Sequence, residues 1–150
     1  MSSSYVRTQI KSFLTTNAPT EDAIDLTAAY DELATLLTEA GIQPDAPWLG
    51  LQFVGSNEEP VGLSATNSQG LYRELGTIHI HVVAAAQLGV GNALLTRGEA
   101  LRNLFRGRRI GNIEILTVQP MNTDSGTTLE FESGYMSGTF AISYRYDFSL

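Results

Sequence analysis

The hydrophobic positions of the first forty residues recur at a helical period. Four of them lie before residue 15 and follow a run of serines: Val6, Ile10, Phe13 and Leu14. This spacing predicts an amphipathic helix over about residues 3–15 with a serine N-cap. Pro19 interrupts the pattern, and a second set then resumes it: Leu26, Tyr30, Leu33 and Leu37. We expect a second helix over about residues 28–40, capped by Thr27 and ended by Gly41.

From Trp48 the pattern changes to alternation at period two, which is typical of strands. We expect a strand in WLGLQFV, a weak edge strand in PVGLSAT and a long strand in RELGTIHIHVV, where Ile78, Ile80 and Val82 face one way. A further strand is expected in IGNIEILTV. The C-terminal strand is the clearest, because five large apolar or aromatic residues alternate with small or polar ones: Phe140, Ile142, Tyr144, Tyr146 and Phe148.

One more helix is predicted between these strands, in GVGNALLTRGEALRNLFRG, with Gly107 as its stop. The order of elements predicts a single α+β domain over residues 1–150, a largely antiparallel (mixed) sheet of about 4–6 strands with helices packed on one face. Within it we expect a helical insertion at about residues 17–45. We also expect a long loop or hairpin arm at about residues 119–138, because that stretch lacks periodicity.

The charge and composition of the chain exclude several classes of function. The net charge is −7: residues 1–60 hold nine acids against Arg7 and Lys11, whereas residues 61–150 hold seven acids and seven arginines. A negative surface repels phosphates, so a nucleic-acid-binding protein is not expected. The absence of cysteine excludes disulfides and thiolate metal sites and suits a reducing cytoplasm. No apolar run approaches the roughly 20 residues of a membrane-spanning helix, so no membrane partner is expected.

The only two histidines, His79 and His81, share one face of the predicted long strand. Zinc needs at least three protein ligands, and the sequence indicates no third. We therefore expect no metal site and interpret the pair as an outward-facing polar row, opposite Ile78, Ile80 and Val82.

No other stretch predicts catalysis or cofactor binding. Gly89-x-Gly91 follows a strand and opens a helix, but it lacks the third glycine of a dinucleotide loop, so a turn followed by an Asn92 cap is the preferred interpretation. No Gly-x-Ser-x-Gly elbow is present. We expect no catalytic residue, no cofactor and no enzymatic activity.

Four arginines gather at the end of the last predicted helix: Arg102, Arg106, Arg108 and Arg109. Cations there complement the negative end of the helix dipole. They also suit contact with carboxylates, and the excess acids of this chain lie at its other end. Head-to-tail contact between copies would therefore match opposite charges, and both interpretations stay open.

Taken in order, WLGLQFV, the stretch LYRELGTIHIHVVAAAQLGVGNALLTRGEALRNLFRGRRIGNIEI and the terminal GTFAISYRYDFSL resemble the tail terminator proteins of long-tailed phages, the minor tail protein U family. The resemblance covers about residues 46–150 and includes Tyr72-Arg73-Glu74, Gly76, the alternating strand and the helix ending in LRNLFRGRR. Residues 17–45 depart from the family pattern, since a helix is predicted where relatives carry a short extended segment.

The resemblance implies a structural virion protein of the tail or neck, assembled in the host cytoplasm. Members of this family form a homo-hexameric ring that caps the tail tube and provides the surface for head–tail joining. The implied partners are further copies, the tail tube protein and a head–tail connector or stopper protein, with DNA only in passage through the lumen. Trp48 is expected either in the core or at an interface, and the core is the preferred interpretation. The expected interface residues are Tyr72, Arg73, Glu74, the four arginines and four residues of the long loop: Met121, Asn122, Thr123 and Asp124.

Two alternatives remain at this stage. The first is another neck component, such as a head-completion, stopper or tail-completion protein, with the same kind of contacts. The second and more distant one is a small-molecule binding domain that uses the Gly89–Asn92 turn.

Overall fold

A computed structural model describes residues 2–27, 33–43, 46–63, 70–85, 90–122 and 135–149. These residues form three helices and six strands in one mixed sheet, which confirms the predicted α+β class. In chain order the elements are α1 (Ser4–Asn17), β1 (Ala23–Asp25), α2 (Leu33–Glu39), β2 (Trp48–Leu63), β3 (Gly70–Ala85), α3 (Val90–Phe105), β4 (Arg109–Ile110), β5 (Ile113–Val118) and β6 (Tyr135–Ser149).

The sheet has the strand order β1-β2-β3-β6-β5-β4. Only β1 and β2 are parallel, and the other neighbours are antiparallel. WLGLQFV and PVGLSAT were predicted as two strands, but Trp48–Leu63 is one strand that pairs with β3 across two irregularities, at Val54/Asn57 and Pro60/Gly62. A β-bulge lets a strand continue through residues that break its alternation, which is why the sequence pattern suggested a break.

The main core lies between the sheet and the helices α1 and α3, and we call this side of the sheet the helical face. Val6, Ile10 and Leu14 of α1 are buried against it, as are Leu94, Leu101 and Phe105 of α3. The sheet contributes Ile78, Ile80 and Val82 from β3 and Phe140, Ile142 and Tyr144 from β6. The helical period of α1 and the alternation of β3 and β6 therefore predicted the correct buried side of each element, although Phe13, Tyr146 and Phe148 are only half-buried.

The other side of the sheet, the open face, carries α2 at one end. A second buried cluster joins Leu37 and Ile42 to Trp48 and Val83, which point away from the helical face because Trp48 pairs with Val83 and Leu49 with Val82. The two long helices thus pack on one face, as predicted, and the short α2 packs against the other face at one end of the sheet. Trp48 is fully buried, as expected. The described part of residues 17–45 thus packs on the same sheet as the rest of the chain.

The described part of the second predicted helix is α2 (Leu33–Glu39), and residues 28–32 of that prediction lie outside the described residues. β1, which was not predicted, is a three-residue strand, and a strand this short gives no measurable alternation. Ile24 of β1 belongs to the second cluster, so β1 helps to hold α2 on the open face.

The segment after α3 is a hairpin rather than the single strand predicted in IGNIEILTV. Gly107 has a positive φ of 63° and follows the end of α3, as expected for a C-terminal stop. Gly111, with φ of 59°, turns β4 into β5, and an added Cβ there would lie 2.7 Å from Tyr5 Oη.

α3 begins at Val90, so Asn92 lies in its first turn and is not the predicted N-cap.

The predicted loop or arm at residues 119–138 is shorter than expected at its C-terminal end, because β6 begins at Tyr135. At the other end, Gln119 N donates to Ala141 O, and Asn122 and Thr139 form a two-bond antiparallel bridge. Residues 123–134 lie outside the described residues.

Candidate interface

Glu74 joins the N-terminus of α1 to the sheet. Its side chain is on the helical face and is 3% exposed. Its two carboxylate oxygens accept from Ser3 N at 3.0 Å and from the Tyr144 hydroxyl at 2.7 Å, and the same hydroxyl lies 2.5 Å from Ser2 Oγ. Burial raises the pKa of Tyr144 above its usual value. Glu74 was predicted as an interface residue, but its buried carboxylate is used within the chain.

Gly76 fits the same arrangement. It is the cross-strand partner of Tyr144, and an added Cβ would lie 2.5 Å from Tyr144 Oη. The aromatic side chain thus occupies the space that any larger residue at position 76 would fill. The resemblance motif at residues 72–76 therefore has structural roles inside the chain that do not depend on a partner.

Tyr72 lies at the exposed end of the helical face in a stack of four half-buried aromatic rings. The ring centroids are 5.9 Å apart for Tyr72 and Phe148, 5.2 Å for Phe148 and Tyr146, and 4.6 Å for Tyr146 and Tyr5, all with near-parallel planes. Such stacking contributes beyond the burial of area. Tyr72 thus remains partly exposed, as a predicted interface residue must be.

Arg73 points to the open face and pairs with Asp147, its cross-strand partner on β6. Arg73 Nε donates to Asp147 Oδ1 at 2.7 Å and Arg73 Nη2 donates to Asp147 Oδ2 at 2.9 Å. The hydrogen bonds with Arg73 lower the pKa of Asp147, and those with Asp147 raise the pKa of Arg73. The pair belongs to a longer row.

Six charged residues of alternating sign cross the open face at this end of the sheet, and we call them the charge ladder. In order from the β4 edge to the β2 edge they are Arg109, Glu114, Arg145, Asp147, Arg73 and Glu59. Arg109 faces Glu114, Glu114 faces and pairs with Arg145, and Arg73 faces both Asp147 and Glu59. The ladder has no net charge and spans five strands.

The four clustered arginines have different environments. Arg102 is 8% exposed. Its Nε donates to Gln119 O at 2.7 Å and its Nη1 donates to Glu99 Oε2 at 2.6 Å. Arg102 thus fixes α3 to the segment after β5. Arg106 is exposed and contacts Asn103 and Glu99. Arg108 lies over the Phe13 aromatic ring at 5.6 Å, a cation–π contact. Only Arg109 belongs to the charge ladder, so these residues do not act as one patch.

Met121 and Asn122 also make contacts within the chain. Met121 packs on α3 where Gly98 leaves room, since a Cβ at position 98 would lie 2.5 Å from the Met121 sulfur. An open groove of about 540 Å³ lies beside Met121, lined otherwise by Leu95, Thr96, Glu99, Ala100 and Asn103. Asn122 forms the backbone bridge with Thr139. Thr123 and Asp124, the other two predicted loop residues, lie outside the described residues.

His81 is fully buried, so the prediction of an outward-facing histidine row is wrong for this residue. Its Nδ1 lies 2.7 Å from Thr139 Oγ1 and its Nε2 lies 3.2 Å from Gln52 Oε1. A neutral imidazole that donates from Nε2 to Gln52 and accepts at Nδ1 from Thr139 satisfies both contacts. Burial, and to a lesser extent His79, lower the pKa of His81 to about 4.

His79 is half-buried on the same face, and burial lowers its pKa as well. Within the described ranges no three His, Cys, Asp or Glu side chains come together as metal ligands require. Both ring nitrogens of His81 already have protein partners. The two histidines are thus polar side chains on the open face of β3, which lies between β2 and β6.

Part of the charge ladder is recognisable from the sequence. Arg145 and Asp147 alternate with the aromatic residues of β6, and Glu114 lies between Ile113 and Ile115, which is a sufficient signal that all three face away from the core. Glu59 gives no such signal. Its neighbours in the ladder depend on strand pairing between distant parts of the chain, which a single sequence does not display.

A scan against protein-family models found no family that matches the chain, and a search of curated proteins found no matching relative. None of the helices in the described ranges has the length and apolar character needed to cross a bilayer.

Proposed function

We propose that the protein is a structural component of a phage tail: a terminator whose copies form a ring that caps the tail tube and offers a surface for head–tail joining. The resemblance of residues 46–150 to the tail terminator family supports this proposal. The proposed partners are further copies of the chain, the tail tube protein and a connector or stopper protein, with DNA passing through without specific binding.

The observation that carries the proposal is that, among the described residues, the sheet ends in two uncovered edges of different structure. β1 pairs with β2 only at Leu49–Leu51, and no described strand covers the outer side of β2 from Val54 onward. At the opposite edge, β4 has only two residues. When one edge of a copy meets the other edge of the next copy, the contact is heterologous, and such contacts generate rings when the rotation closes.

The β2 edge also has features that limit indiscriminate strand addition. It contains two irregularities, Pro60 and the exposed Glu58 and Glu59. Bulges, proline and charge on edge strands disfavour open-ended aggregation. An edge of this kind suits a contact that forms only with a matching surface.

The proposal is tested by the assembly state of the purified full chain. Native mass spectrometry and negative-stain electron microscopy should show a closed ring, with a hexamer expected, that binds to the end of isolated tail tubes. A chain that remains monomeric at high concentration and does not bind tail tubes would contradict the proposal. A ring of another size that binds heads but not tails would indicate another neck component.

A further inference from the structure

We propose that the two edges meet in a defined way: the β4 edge of one copy docks beside the β2 edge of the next, so that Arg109 of one lies against Glu59 of the other. This inference rests on the proposed ring, because it takes a second copy of the chain as the occupant. The subunit contact is thus assigned to Arg109 and Glu59, two residues that lie far apart in the sequence.

The first argument is the alternation of the charge ladder. Each internal member has neighbours of opposite sign, as in the Arg73–Asp147 and Arg145–Glu114 pairs. The two ends are different, because Arg109 has a ladder neighbour only on the β5 side and Glu59 only on the β3 side. Edge-to-edge contact between copies places these two ends together and continues the alternation from one sheet into the next.

The second argument is the charge that surrounds each end. In the part of the chain that the structure describes, Arg108 and Arg109 form no ion pair, and neither do Glu58 and Glu59. All four side chains belong to exposed residues. Glu58 also faces the buried Glu74 across the strand pair, which adds negative charge at the β2 edge. One edge thus has excess positive charge and the other excess negative charge, a complementarity that favours the head-to-tail orientation.

The two ends of the ladder, Arg109 and Glu59, also lie at similar heights along the strands. Arg109 is linked through Glu114 to Arg145 of β6, and Glu59 is linked through Arg73 to Asp147, which is two residues further along β6. Two residues of strand correspond to about 7 Å. A shift of this size along the strand direction between neighbouring copies therefore brings Arg109 of one copy beside Glu59 of the next.

Exposed apolar residues accompany the charges. Val61 on β2 is 42% exposed and Leu116 on β5 is 46% exposed. Exposed ion pairs alone contribute little to affinity, so this apolar area has to supply part of the binding free energy. The charges then determine which edges pair and in which orientation.

The test uses charge reversal and mixing of two variants of the full chain. Arg109→Glu places a glutamate at both ends of the ladder and Glu59→Arg places an arginine at both ends, so each variant alone should assemble about tenfold more weakly than the unmodified chain at low salt. An equimolar mixture has matched edges at every contact when the two variants alternate. The mixture should therefore recover ring formation, measured by sedimentation velocity and native mass spectrometry.

Matched controls separate the contact from net charge and from misfolding. Arg106→Glu and Glu39→Arg change the charge by the same amounts at exposed positions outside the ladder, and they should assemble like the unmodified chain. Circular dichroism should show that all four variants fold. Equal weakening by the controls, or a mixture that does not recover assembly, would overturn the inference while the ring of the unmodified chain stands. If the unmodified chain itself forms no oligomer, both the ring and this contact are wrong.

Discussion

His81 makes the stability of the folded chain depend on pH. It is buried and neutral, with a pKa of about 4, whereas an unfolded histidine has a pKa near 6.5. Above pH 6.5 both states are neutral and His81 adds no pH dependence. As the pH falls from 6.5 towards 4, the unfolded chain binds a proton that the folded chain does not, so stability is lost in this window.

We expect the unmodified chain to lose about 2 kcal/mol of unfolding free energy between pH 7 and pH 5 through His81 alone. His81→Gln, which has no titrating group, should lose less over the same range, although its stability at pH 7 is lower because its contacts with Thr139 and Gln52 change. Urea unfolding at both pH values measures the difference. His79→Gln is the matched control and should keep most of the pH dependence; if it abolishes the dependence instead, the assignment to His81 is incorrect.

Gly76 tests the close contact with Tyr144. Gly76→Ala places a Cβ 2.5 Å from Tyr144 Oη, so we expect a destabilisation of about 1–3 kcal/mol. Gly91→Ala provides the comparison: nothing lies within 4 Å of its added Cβ, and alanine favours a helix by up to about 1 kcal/mol. Thermal unfolding should show a lower midpoint for the first variant and an unchanged or higher one for the second. Equal midpoints would show that Tyr144 moves aside without cost.

At the scale of elements, two intrachain anchors position α1. Glu74 accepts from Ser3 at its N-terminus. Asp25 of β1 accepts from Arg7 at 2.7 Å and from Lys11 at 2.9 Å. Burial alone would raise the pKa of Asp25, but these two cations lower it. The two basic residues of the N-terminal part of the chain are thus used inside the molecule.

We expect Glu74→Ala to lower stability by about 1–3 kcal/mol, because the Tyr144 hydroxyl and Ser3 N–H lose a buried acceptor. Hydrogen exchange at the first turn of α1 should increase more than exchange in α3. Glu58→Gln, at the exposed cross-strand partner of Glu74, should change stability by less than about 0.5 kcal/mol. Unchanged exchange in α1 after Glu74→Ala would mean that the helix is held by its apolar contacts alone.

At the scale of the whole molecule, the described residues cover the helical face of the sheet and only part of its open face. The charge ladder lies on the part of the open face that no described element covers, at the end opposite α2, because Trp48 and Glu59 are at opposite ends of β2. An antiparallel sheet can expose one face to water, so this face needs no partner for stability. In the proposed ring, a second copy would add its contacts at the two edges of this sheet.

Assembly that depends on Arg109 and Glu59 should weaken with salt. Exposed charges are screened over about 8 Å at physiological ionic strength and about 3 Å at 1 M. We expect the dissociation constant of the ring contact to rise by several-fold between 50 mM and 500 mM sodium chloride, measured by sedimentation velocity. Assembly that strengthens with salt would indicate a contact dominated by apolar surface instead.

The sequence by itself determined the fold class, the main helices α1 and α3, the long strands β3 and β6 and the core of the helical face. Each of these follows from a hydrophobic period along a continuous stretch, which local spacing displays directly. Tertiary structure alone decided that β2 is one strand, that α2 covers part of the other face, that His81 is buried, and that six charges form a ladder. Those features depend on register between strands far apart in the chain, since register fixes which side chains are neighbours.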